Sequence, residues 1–131
     1  MADAIYPLYK QACLDGSAED LSSVNIKAAL VDTGTYTYSA THNFLNDVGG
    51  IVATSDNLSS KSVANGTFDA ADVTWSSVSG SSAEAIILYY DSGSAATSRL
   101  ICYIDSATGL PVTPNGGDIT VTWDAGGIFT L

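Results

Sequence analysis

The chain of 131 residues has the length of one domain, and hydrophobic residues make up 46% of it, which excludes a disordered polypeptide. Fourteen acidic residues face four basic ones, so the net charge is −10. Phosphate backbones and anionic membrane surfaces are recognised through lysine and arginine. The composition therefore predicts no binding to nucleic acid and no attachment to a membrane.

Residues 1–16 are predicted to form a helical arm at the start of a single domain spanning residues 1–131. Apolar residues recur at helical spacing within a helix predicted over residues 4–15. They are Ile5, Leu8, Tyr9, Ala12 and Cys13. Asp3 is a suitable N-cap, Pro7 is tolerated in the first turn, and Gly16 provides a stop. The apolar stripe can pack on its own domain or on a neighbouring molecule.

Residues 17–131 are predicted to form an all-β domain, an antiparallel β-sandwich or jelly roll of about eight strands. Serine and threonine alternate there with valine, isoleucine, tryptophan and tyrosine, which is typical of half-buried strands. The strand patterns lie at residues 24–30, 35–38, 51–55, 62–68, 73–76, 84–90, 100–104, 119–123 and 128–131. A parallel sheet would need more crossover helices than the chain offers.

Three details of this domain can be predicted more closely. Residues 84–90 are apolar on both faces, which predicts a central strand with 100–104 as its partner. The pair Asn65-Gly66 predicts a type I′ turn in a hairpin, because both residues tolerate positive φ. A short helical insertion is predicted over residues 41–48 with Thr41 as N-cap, and residues 91–97 are predicted to form an exposed loop.

The two cysteines, Cys13 and Cys102, fall at apolar positions of a predicted helix and a predicted strand. We interpret both as small core residues, although a disulfide between them remains open. The N-terminus has no basic region followed by an apolar run, and no segment reaches the length of a membrane span. These features predict a protein made in the cytosol.

The motifs of common enzymes are missing from the sequence. It contains no phosphate-binding loop and no nucleophile elbow. His42 is the only histidine, and we interpret it as a surface residue of the short helix. Two paired carboxylates, as in glycosidases, would need a cleft between large loops, which the chain has little length to build. The sequence therefore predicts a structural or binding protein, not an enzyme, and no cofactor.

Acidic and aromatic residues suggest two further kinds of site. Six aspartates flank predicted strands or turns, where they could hold calcium or stabilise the turns, and we favour the turns. They are Asp69, Asp72, Asp91, Asp105, Asp118 and Asp124. Trp75 and Trp123 alternate with threonine and serine, which predicts that they face the core. Exposed and coplanar, they would instead indicate a carbohydrate-binding module.

Four stretches of the chain carry a resemblance: residues 4–7 with 9 and 10, 29–36, 68–74 and 108–118, the last being the most distinctive. They resemble a family of small virion proteins of tailed bacteriophages, and the resemblance covers nearly the whole chain. The resemblance implies a capsid decoration, or cement, protein, with a β-sandwich or jelly roll that forms homotrimers on the major capsid protein at the virion surface. It supplies no catalytic residue.

For such a protein, we predict that Ile5, Tyr6, Leu8 and Tyr9 dock on the capsid and that the loop of residues 91–97 points outward. One alternative is a component of the tail, of a tail fibre or of the head–tail connector. Proteins of these structures also use small β-sandwiches. A second alternative is the carbohydrate-binding module.

Overall fold

The computed structural model describes residues 3–124 and 126–130. Within them the fold is all-β and antiparallel, with one α-helix, α1 (Pro7–Asp15), and one 3-10 turn (Leu45–Asp47). The strands are β1 (Ala4–Ile5), β2 (Ile26–Val31), β3 (Ile51–Thr54), β4 (Ser62–Ala64), β5 (Thr67–Asp69), β6 (Val73–Trp75), β7 (Ala85–Tyr90), β8 (Leu100–Ile104), β9 (Ile119–Val121) and β10 (Phe129–Thr130). The predicted all-β, sandwich-like fold with an N-terminal helix is confirmed.

The core lies around a five-stranded sheet with the order β1-β8-β7-β2-β3. Strand β7 is at its centre, as predicted, and β8 is its partner, also as predicted. Nearly every residue of β2, β7 and β8 is buried, so both faces of these strands are covered. This explains why their sequences are almost continuously apolar where a one-sided sheet would alternate.

Two smaller antiparallel sheets complete the fold, with the orders β10-β5-β4 and β6-β9. The β4–β5 hairpin turns at Asn65 and Gly66, whose φ angles of 52° and 79° confirm the predicted turn. The indole Nε1 of Trp75 in β6 donates to the carbonyl oxygen of Ala28 in β2 at 3.1 Å. This bond ties the two-stranded sheet to the large one.

The N-terminal helix begins later than the sequence predicts. Ala4 and Ile5 form β1, which pairs with Tyr103 and Cys102 of β8. The physical reason is Pro7: a residue before proline disfavours the helical region, and Tyr6 has an extended backbone with φ −59° and ψ 128°. Gly16 ends the helix with a φ of 82°, as predicted. The Asp3 carboxylate does not cap the helix, because it accepts hydrogen bonds from the backbone after β8.

Two other predicted elements are corrected. Residues 41–48 do not form a helix capped by Thr41, since only Leu45–Asp47 make a 3-10 turn and Phe44 is extended in a bridge with Arg99. The Asp47 carboxylate accepts the amides of Asn43 and Phe44, which holds this short turn. Residues 35–38 are not a strand, because the amides of Thr35 and Tyr36 turn back to the carbonyl of Asp32.

Candidate functional site

Four tyrosines from distant parts of the chain gather at one end of the five-stranded sheet. At this end β2 finishes, β7 begins and β8 finishes, because Val31 pairs with Ala85 and Ile86 with Ile104. The tyrosines are Tyr6 before α1, Tyr36 and Tyr38 after β2, and Tyr103 in β8. Although residues 35–38 are not a strand, Tyr36 and Tyr38 both contact the ring of Tyr103, with centroids 6.4 and 5.5 Å away.

A chain of hydrogen bonds links two of these tyrosines to His42. The hydroxyls of Tyr6 and Tyr36 are 2.8 Å apart, and the Tyr36 hydroxyl is 2.7 Å from Nδ1 of His42. Each donor is used once if Tyr6 donates to Tyr36 and Tyr36 donates to a neutral imidazole. Burial raises the pKa of Tyr6 well above its usual range, and donation to Tyr36 raises it further. Burial also raises the pKa of Tyr36.

His42 is therefore placed differently from the prediction of a surface helix residue. It is half-buried, lies before the 3-10 turn, and its Nδ1 is held by a phenol. The bond to Tyr36 gives the imidazole a role in fixing the Tyr36–Tyr38 segment. The sequence carries no signal for the bond between Tyr6 and Tyr36, because these two residues lie thirty positions apart along the chain.

An open cleft of about 440 Å³, here called the tyrosine cleft, lies beside these rings. Its walls include Tyr36, Tyr38, Tyr103, Glu84, Asp105 and Pro111. Glu84 directly precedes β7, and its Oε1 accepts the backbone amide and the hydroxyl of Thr33 at 3.0 and 3.1 Å. None of the described residues that line this cleft is basic. The cleft therefore brings aromatic side chains and carboxylates together.

Acidic side chains line this cleft. Burial raises the pKa of Tyr103, and the charges of Asp105, Glu84 and Asp3 raise it further. A second cleft of about 560 Å³ adjoins the first and shares Tyr38 and Tyr103 with it.

No protein-family model matches the chain, and no curated protein matches it either. The described part of the chain also contains no helix that is long and apolar enough to cross a membrane.

The predicted docking stripe is mostly used inside the domain. Tyr6 and Tyr9 are 0% and 3% exposed, so neither can reach a partner in this structure. Ile5 and Leu8 are half-buried. Of the two packing modes left open by the sequence, the structure places the stripe on its own domain. The large apolar side chain that α1 does expose is Leu14, at 90%.

The six aspartates act chiefly on the backbone. Five of their side chains accept backbone amides: Asp69 from Ala70, Asp72 from Trp123, Asp91 from Gly93, Asp118 from Ser77 and Asp124 from Gly126. Asp105 lines the tyrosine cleft. Within residues 3–124 and 126–130, no three histidine, cysteine, aspartate or glutamate side chains form a group that could hold a metal ion.

The tryptophans and cysteines belong to the core. Trp75 and Trp123 are 2% and 7% exposed, which confirms the prediction and leaves no ring face for sugar stacking. Both cysteines are free thiols, so the open question of a disulfide is answered against a bond. Cys102 is buried in β8 and burial raises the pKa of its thiol, while Cys13 packs half-buried against the core.

Most of the basic side chains are engaged by the chain itself. Lys27 pairs with Asp91 at 3.1 Å and Arg99 with Glu19 at 3.2 Å. Lys61 donates its ammonium to the carbonyl of Val24. The predicted loop of residues 91–97 is exposed from residue 92 onward. The protein thus presents a surface on which acids dominate.

Proposed function

We propose that this protein is a structural component of a tailed-phage virion, a decoration or cement protein on the outer surface of the head. It binds the major capsid protein at junctions between coat subunits, as a homotrimer. The resemblance of four stretches to small phage virion proteins supports this proposal. A small antiparallel sandwich-like domain with its N-terminal strand built into the main sheet suits a rigid surface component.

The observation that carries the proposal is the acidic surface. The chain has ten more acids than bases, and three of its four basic side chains bond to its own groups. Such a surface repels the packaged nucleic acid and is complementary to a basic patch on a protein partner. Charge complementarity of this kind speeds association and fixes the orientation of docking.

The proposed mechanism is multivalent attachment. As a head fills with DNA, strain develops at the boundaries between its subunits. A trimer that bridges several coat subunits adds buried area at each boundary, and its second and third contacts form intramolecularly. Weak individual contacts then suffice for tight binding.

The test is the copy number of this protein in purified virions and in tailless heads of the same phage. Hundreds of copies retained on tailless heads are the expected result, and stripping them is expected to lower the temperature at which heads break. A few copies that are lost with the tail would refute the cement function and support a tail, tail-fibre or connector component. Complete absence from virions would refute both and favour the binding module.

A further inference from the structure

The chain contains two asparagine–glycine pairs, Asn65-Gly66 and Asn115-Gly116, and both asparagines are exposed. An asparagine in such a pair can lose ammonia when the backbone nitrogen of the glycine attacks the side-chain amide carbon, because glycine has no Cβ to obstruct the approach. We propose that Asn65 is a site of this spontaneous modification in the folded protein and that the fold protects Asn115 from it.

The reacting groups of Asn65 and Gly66 are not held by the fold. These two residues form the turn of the β4–β5 hairpin, and the bonds of the hairpin are made by the strands on either side. Within residues 3–124 and 126–130, the Gly66 amide donates to no acceptor and the Asn65 side chain has no hydrogen-bond partner. Both residues are exposed, so the attacking nitrogen and the amide carbon are open to water.

The second pair is equally exposed but is fixed by hydrogen bonds. The Gly116 amide donates to the carbonyl oxygen of Val78 at 2.7 Å, and the Val78 amide donates back to the carbonyl oxygen of Gly117 at 2.9 Å. The Oδ1 of Asn115 accepts the amide of Gly117, also at 2.9 Å. The nitrogen that would attack is therefore occupied, and the side-chain amide is held toward Gly117.

The hairpin that carries Asn65 can open without unfolding the domain. Ring closure requires Asn65 to rotate out of its turn conformation, so the tip of the hairpin must separate briefly. Strand β4 lies at the edge of its sheet, and all three of its residues are exposed. Little packing is lost when such a strand leaves its partner, and local openings of this kind need much less free energy than global unfolding.

The reaction needs only water. The Gly66 nitrogen gives its proton to water and bonds to Cγ of Asn65, the Cγ–Nδ2 bond breaks, and Nδ2 takes up a proton and leaves as ammonia. Water then opens the cyclic succinimide at Cγ, which gives aspartate, or at the backbone carbonyl carbon of residue 65, which gives isoaspartate. Both products add a negative charge. Isoaspartate also adds a methylene to the main chain inside the turn.

Trypsin separates the two asparagines, because the chain has only four lysines and arginines. The fragment of residues 62–99 contains Asn65 as its single asparagine, and the fragment of residues 100–131 contains Asn115 as its own. The full chain is incubated folded at mildly alkaline pH, and the mass of each fragment and its methylation by an isoaspartyl methyltransferase are followed. We expect Asn65 to react about thirtyfold faster than Asn115, the ratio given by two hydrogen bonds of about 1 kcal/mol each on the protected pair.

Unfolding provides the matched control. In guanidinium chloride the hydrogen bonds on Asn115 and Gly116 are lost, so the two asparagines should react at similar rates. The variant Asn65→Asp supplies the aspartate product with a normal main chain, and it should keep the NMR signals of the β4–β5 hairpin. The isoaspartate form isolated from the incubated protein should lose these signals, because the extra methylene does not fit a two-residue turn.

The proposal is overturned if Asn115 reacts as fast as Asn65 in the folded protein, or if the fragment with Asn65 stays unchanged while the unfolded chain reacts. It is equally overturned if the ratio of the two rates is the same in guanidinium chloride, since the difference would then come from neighbouring residues in the sequence and not from the fold. A faster reaction at Asn65 that disappears on unfolding supports it. These outcomes do not depend on whether the protein is found on virions.

Discussion

We expect a side chain at Gly50 to displace the segment that lines the tyrosine cleft. Its φ is +72°, and a Cβ added there would lie 2.8 Å from the Cβ of Thr35 and 3.1 Å from the carbonyl oxygen of Asp32. Thr35 begins the segment that carries Tyr36 and Tyr38. The substitution Gly50→Ala should therefore push directly on the segment that forms the wall of the cleft.

A matched control separates the two causes of the expected loss of stability, backbone strain and the steric clash. Gly16 has a φ of +82° and nothing within 4 Å of an added Cβ, so Gly16→Ala imposes similar backbone strain without a clash. We expect Gly16→Ala to cost about 1 kcal/mol of unfolding free energy. Gly50→Ala adds overpacking, about 1–3 kcal/mol, for a total of about 2–4 kcal/mol.

The assay is urea unfolding followed by the fluorescence of the two buried tryptophans. A rescue by Thr35→Gly in the Gly50→Ala background, but not by Thr35→Ala, would identify the Cβ contact, because alanine retains that atom. The ring signals of Tyr36 and Tyr38 should shift in Gly50→Ala and not in Gly16→Ala. If the two glycine variants lose the same stability within about 0.5 kcal/mol, the contact between an added Cβ at Gly50 and Thr35 does not destabilise the fold.

Three further predictions concern the N-terminal segment and the thiols. The pKa of Asp3 is lowered, since burial raises it but hydrogen bonds from the two residues after β8 outweigh that effect. The stabilisation by Asp3 should thus be complete above the pKa of an unfolded aspartate, about 3.9, and be lost as the pH falls below it. Asp3→Asn should lower the free energy of unfolding by about 0.5–1 kcal/mol in urea at pH 7. A loss of the same size at pH 2 would contradict this prediction. Tyr6→Phe should cost about 1 kcal/mol, and a double-mutant cycle with Tyr36→Phe should give a coupling energy of similar size, whereas strict additivity would show that the two hydroxyls do not interact. With a thiol reagent such as Ellman's, Cys13 should react in the folded protein and Cys102 only on unfolding, and equal rates would show that β8 is not buried.

The strands were predictable because their signal is local. The alternation around Val73 and Trp75 and the apolar run of β7 depend only on which faces of a strand are buried. One wrong prediction, the start of the helix, could also have been avoided from local sequence. Proline restricts the residue before it, so Tyr6 indicates that the helix begins at Pro7. The short pairing of Ala4 and Ile5 with β8 could not be predicted, since the two strands lie about a hundred residues apart in the sequence.

The candidate site, unlike the strands, could not be predicted from the sequence. The sequence indicates many tyrosines but not that Tyr6, Tyr36, Tyr38 and Tyr103 meet, because that depends on the order β1-β8-β7-β2-β3. It also predicts docking through Tyr6 and Tyr9, because the sequence shows that this segment is apolar but not what its side chains face. The sequence gives no signal for the contact of Glu84 with Thr33, since that contact depends on how β2 pairs with β7.

By itself the sequence determined the class of fold, the turn at Asn65-Gly66, the central strand and the acidic character of the surface, because periodicity, φ preference and charge are properties of neighbouring residues or of composition. Only the tertiary structure decided the strand order, the burial of the N-terminal stripe and the tyrosine cleft. These depend on contacts between residues thirty to a hundred positions apart, for example Tyr6 with Tyr36 and Asp3 with Ser106. No local pattern records which segments the packing of the core will bring together.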